Sequence, residues 1–77
     1  MLFRSWARLG SAVTGITGRE QFRRGRVEHQ SDGTTVAHIL GGAGSHLITQ
    51  AVEATHLIRI PAGAALEAGS VVQTYRL

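Results

Sequence analysis

The sequence predicts a small, mainly β domain, an antiparallel barrel or sandwich with one short inserted helix and an N-terminal helix. Three observations carry this. From Thr34 onward the chain holds apolar runs of five to seven residues, namely Thr34–Leu40, His56–Ile60 and Val71–Leu77. Tight turn signals separate them: Ser31-Asp32-Gly33, Pro61-Ala62-Gly63 and Leu66-Glu67-Ala68-Gly69. At 77 residues, with 43% hydrophobic and 17% charged residues, the chain is a single compact domain rather than a disordered tail.

Residues 2 to about 16 place Leu2, Phe3, Trp6, Leu9, Val13 and Ile16 at helical spacing, with Arg4 and Arg8 elsewhere. This predicts a short amphipathic helix, weakened at Gly10 and ended by Gly15 or Gly18. Its stripe holds the single tryptophan, and either covers the core or contacts a neighbouring domain. From Gln21 to His29 the pattern alternates, with Phe22, Arg24, Arg26 and Glu28 on one face and Arg23, Gly25, Val27 and His29 on the other. With Thr34–Leu40 it forms a hairpin. Gly41-Gly42-Ala43-Gly44 follows, and Ser45 stands where it would cap a helix over 46–54. The core has only Phe3, Trp6, Phe22 and Tyr75 as aromatic candidates, so aliphatic residues must do the packing.

Composition excludes several functions. Without cysteine there is neither a disulfide framework nor a thiolate metal site, which fits a cytoplasmic location. No run approaches the ~20 apolar residues of a membrane span, and no apolar core of a secretory signal is present. The acid-free, arginine-bearing N-terminus is also compatible with an import presequence. The charge of +3 comes from eight arginines and no lysine. Arginines that lack interleaved aromatics make a poor nucleic-acid stacking platform. The four histidines show no paired spacing for zinc, and no Ser-His-Asp set or carboxylate pair stands out.

Two features remain as candidate chemistry. A glycine turn that opens a helix presents backbone amides to an anion, with Ser45 offering a hydroxyl and His46 in the first turn. It lacks the lysine of a Walker loop and the third glycine of a dinucleotide fingerprint, and a tight strand-to-helix connection explains it equally. Arg23, Arg24 and Arg26 supply guanidinium forks for oxyanions, or else charge that protects an edge strand.

Taken in order, these segments resemble a known family. Gly18-Arg19-Glu20-Gln21-Phe22-Arg23-Arg24-Gly25-Arg26-Val27 is similar to the opening strand of the C-terminal domain (domain IV) of MoeA-type molybdopterin molybdenumtransferases, which include gephyrin. Gly44-Ser45-His46-Leu47-Ile48, Ala54–Gly63 and Leu66–Val72 are similar to the family's later segments, in order and at matching spacing over residues 18–77. Residues 1–17 are then expected to be a helix or linker left from the preceding domain. The resemblance implies a β-barrel that supplies part of a cleft in an enzyme that inserts molybdate into adenylylated molybdopterin. Arg24 and Ser45, with Gly44 and His46 beside them, become the expected substrate-binding residues. It further implies a homodimer with other MoeA domains in the full-length assembly, and no membrane or nucleic-acid partner. Magnesium and molybdate would be used through a domain not among these residues, so this domain alone is expected to bind no cofactor and to be inactive. Gly41-Gly42-Ala43 departs from the more polar stretch of many relatives. The alternative is a protein-interaction module that docks a neighbouring domain or peptide through the N-terminal stripe and an exposed strand edge.

Overall fold

The computed structural model describes residues 4–40 and 54–77. These form seven strands: β1 (Arg4–Leu9), β2 (Val13–Thr14), β3 (Gln21–His29), β4 (Thr35–Ile39), β5 (His56–Ile60), β6 (Ala65–Leu66) and β7 (Val71–Arg76). Five of them close into a barrel in the order β1-β4-β3-β5-β7, and β1 pairs again with β7. The short strands β2 and β6 make a separate antiparallel pair. The mainly β expectation holds, and it resolves to a closed barrel rather than a sandwich. Four of the barrel's ladders are antiparallel, but the β1–β4 ladder is parallel, at Arg8↔Val36 and Leu9↔Ala37.

The N-terminal helix is not there. Residues Arg4–Leu9 form a strand that runs antiparallel to β7 from Arg4↔Tyr75 to Arg8↔Val71. Ala7 and Leu9 point inward and are buried, whereas Trp6 on the outward row is 59% exposed. The helical spacing of the large apolar residues was a coincidence of composition. The operative period is two, and two of its inward members, Ser5 and Ala7, are small and carry little hydrophobic signal. Pairing with a strand more than sixty residues away overrides local propensity. The predicted inserted helix over 46–54 lies outside the described residues, apart from its last position, Ala54, which is not in a helix.

The β3–β4 hairpin matches its turn signal. Gly33 sits at φ 91°, a conformation that side chains resist, and the Asp32 carboxylate accepts from the Thr34 amide at 2.9 Å. The Thr34 hydroxyl, and after it that amide bond, hold the Asp32 carboxyl below its ordinary range.

The inner rows make the core: Ala7 and Leu9 of β1, Ala37 of β4, Ile58 and Ile60 of β5 and Val72 of β7. No aromatic is among these buried residues, as the composition implied. A five-stranded barrel has a narrow bore, so large residues on one strand require small ones opposite. Ile58 and Ile60 are fully buried, and β3 answers them with Gly25. A Cβ on Gly25 would lie 2.5 Å from the His38 carbonyl oxygen and closer still to Ile58 Cδ1. Thr74, fully buried, has its hydroxyl bonded to Ser5 Oγ at 2.9 Å, which removes the cost of a lone polar group in the bore.

Candidate functional site

The segment Arg23-Arg24-Gly25-Arg26 lies in the middle of the nine-residue strand β3. Alternation sends Arg24 and Arg26 outward, both exposed, and turns Arg23 to the other side, half-buried in register with Ile58. The three arginines therefore do not converge, as their spacing predicts. Arg24 stands opposite Leu57 on β5, and Arg26 opposite His38 on β4.

Gly25 is where β3 changes partners. Residues Gln21–Gly25 pair with β5 and Gly25–His29 with β4. Two further hydrogen bonds mark the same place: Leu40 N donates to Arg24 O at 2.9 Å, and Thr55 N donates to Gly25 O at 3.0 Å. Leu40 and Thr55 flank the stretch that contains the glycine turn. That stretch thus leaves and rejoins the barrel on either side of Arg24–Gly25, across two strand spacings of about 10 Å in total. Gly44, Ser45 and His46 themselves lie outside the described residues.

The outer face around Arg24 is mixed. Phe22, two residues before it, is half-exposed and meets Tyr75 edge-to-face, with ring centroids 5.7 Å apart and planes at 64°. Arg59 of β5 bonds Glu20 at 2.9 Å. Glu28 accepts from Gln30 at 3.0 Å and pairs with His38 Nε2 at 3.2 Å. The acids near the arginine strand thus have basic or amide partners already. No group of three or more histidines and carboxylates suited to a metal ion occurs among the described residues.

Sequence reasoning missed two features. One is an open stretch on β1, whose ladder with β4 covers only Arg8 and Leu9 although its ladder with β7 covers five residues. An open groove of about 420 Å³ lies there, lined by Trp6, Ala7 and Arg8 on one side and 32–35 on the other. The other is a basic inner rim formed by His29, His56 and Arg76. Burial, then the charges of Arg76 and His29, lower the pKa of the His56 imidazole from its ordinary 6.5. Strand-end parity was readable for each of these residues. Their juxtaposition required the barrel order, which spacing does not encode.

A model of the family described as MoeA C-terminal region (domain IV) matches residues 6–77. The chain belongs to that family. No curated protein matches it. Among solved structures, it is similar to the crystal structure of the molybdopterin biosynthesis MoeA protein from Pyrococcus horikoshii OT3. The TM-score is 0.68 at 17% identity, over 99% of this chain and 19% of that one. At that identity the likeness speaks for the fold, and the chain spans about a fifth of its relative's length. The barrel fold is therefore shared with that relative. Among the described residues no helix is long and apolar enough to cross a membrane.

Proposed function

We propose that this domain serves molybdenum cofactor biosynthesis as the C-terminal domain of a molybdopterin molybdenumtransferase. In this reading it supplies one wall of the cleft where molybdate is inserted into adenylylated molybdopterin. Arg24 binds an oxyanion of the substrate through its guanidinium fork, and Ser45, with Gly44 and His46, faces the same cleft. The domain acts together with other MoeA domains in a homodimer and does not catalyse alone.

The observation that supports this reading is the anchoring of both flanks of the glycine-rich stretch to Arg24 and Gly25. Those bonds tether the stretch bearing Ser45 to the strand position bearing Arg24. The side chain of Arg24 is exposed, so its replacement leaves the core untouched. In the full-length assembly, Arg24→Ala is expected to lower cofactor synthesis at least about tenfold, the effect of losing one charged contact to substrate, with the unfolding midpoint unchanged. Full activity in that variant, measured beside Ser45→Ala, overturns the assignment.

A second reading is favoured by the open stretch of β1. Among the described residues, Arg4–Ala7 have a ladder on one side only, beside a groove walled by the exposed Trp6 and Val71. Leu9 exchanges both backbone bonds with the β7 side, donating to Ser70 O and accepting from Gly69 N, each at 2.8 Å. Alternation then turns the N–H and C=O of Trp6 toward the groove, where an extended peptide can add as a strand. Trp6→Ala is expected to abolish capture of a neighbouring domain or peptide. Unchanged association in that variant removes this reading.

A further inference from the structure

The inner rows of the barrel turn from apolar to basic at one rim. On β5, Ile60 and Ile58 are fully buried, and the next inward residue is His56. Its register partner on β7 is Arg76, which follows the buried Val72 and Thr74 on that strand's inward row. His29 ends the inward row of β3 and lies close enough for its charge to act on His56. Like charges set directly opposite across two strands destabilise a sheet, and here a third basic group joins them.

Each imidazole is already oriented. Thr55 Oγ1 bonds His56 Nδ1 at 2.8 Å, and Thr35 Oγ1 bonds His29 Nδ1 at 3.3 Å. Both Nε2 atoms and the Arg76 guanidinium are left without a hydrogen-bond or ion-pair partner among the described residues. Among the described residues, no carboxylate side chain is paired with these three groups. Glu28 faces outward to His38, and Glu20 is held by Arg59 farther down the wall. Two orientable N–H donors and a guanidinium fork, with hydroxyls fixing the rings, form a set suited to a small dianion.

We propose that the His29–His56–Arg76 rim binds a tetrahedral oxyanion of the phosphate class, either free or as the terminal group of a larger ligand. The site is separate from Arg24, which points to the opposite face of its strand, and stands whether or not the cleft assignment holds. An anion here offsets the mutual repulsion of the three groups and draws protons onto both imidazoles. Among the described residues, the groups that act on His56 are Arg76 from β7, His29 from β3 and Thr55 just before its own strand, and the two that carry charge are basic.

Histidine ring-proton NMR on the full chain tests this, with inorganic phosphate and methyl phosphate as the two probes and chloride as the reference. Phosphate is expected to raise the midpoint of His56 titration by about one unit. Affinity is expected to be about tenfold higher near pH 5.5 than near pH 7.5. Preference for inorganic phosphate assigns a free anion, and equal or tighter binding of methyl phosphate assigns a terminal group. Arg76→Gln and His56→Gln should each weaken binding about tenfold, whereas Arg24→Ala leaves it unchanged. A His56 titration identical in phosphate and chloride overturns the proposal without recourse to any variant. Wild-type affinity in Arg76→Gln, with its fold checked by circular dichroism, does the same.

Discussion

Ile58 and His56 lie two residues apart on one strand and face the same side of it, yet they inhabit different chemistry. Ile58 is fully enclosed, with Gly25 of β3 beside it and Thr74 of β7 in register, while His56 emerges among basic groups at the rim. One inward row therefore does two jobs. Its apolar part closes the bore and fixes the register, and its polar end is presented by the rigidity of that closure. A side chain at the rim inherits its position from residues it does not touch, so the core and the rim should separate cleanly under mutation.

The largest effect is expected in the bore. Ile58→Ala removes a fully buried side chain from a closed core in which Ala7, Ala37 and Gly25 have no side-chain volume to spare for filling the gap. A loss of about 3 kcal/mol in urea unfolding is expected, since large-to-small changes cost most where the cavity cannot relax. A loss below about 1 kcal/mol would mean that the barrel collapses around the gap and that core and rim are less distinct than they look.

The next effect probes the strand that joins both regions. Gly25→Ala places a Cβ against the His38 carbonyl and Ile58 Cδ1, one of them backbone in a ladder. Overpacking of this kind is expected to cost about 2 kcal/mol. Shortening the obstructing side chain should recover part of it, so Gly25→Ala with Ile58→Val is expected to be less destabilising than the sum of the two. Strict additivity would show that the His38 backbone alone resists the new atom.

How much of this was legible in the sequence follows from the range of the forces involved. The hairpin at 31–33 and the strands from Gln21, Thr35, His56 and Val71 were readable, because turn chemistry and period-two alternation are local. The outward placement of Arg24 followed from the same alternation. β1 was not readable as a strand, because its inward residues are Ser5, Ala7 and Leu9, two of them too small to mark a buried face. The small pair β2–β6 was invisible for a similar reason, since two residues carry no period. The rim escaped notice because His29, His56 and Arg76 come from three strands whose adjacency is a property of the closed barrel. Gly25 reads in sequence as a weak point in a strand. In the barrel it is the position where the wall changes partners and Ile58 takes its space.

The smallest effect concerns the rim alone and has a definite sign. Burial, with help from Arg76 and His29, depresses the folded-state pKa of His56, so the native barrel favours the neutral ring. Well above the ordinary pKa of 6.5 both folded and unfolded chains carry that ring neutral, and His56 imposes no pH dependence. As pH falls through the unfolded value toward the lower folded one, the unfolded chain takes up the proton first and stability declines. Below both values the penalty is complete and the slope vanishes. In phosphate-free buffer, the unfolding midpoint of the wild type should therefore drop between about pH 7 and pH 5 more than that of His56→Gln. Ile58→Val, which weakens the bore without touching the rim, should keep the wild-type slope at a lower overall stability. If Ile58→Val changed the slope as much as His56→Gln does, the packing of the bore would be setting the electrostatics of the rim, and the two regions would be one.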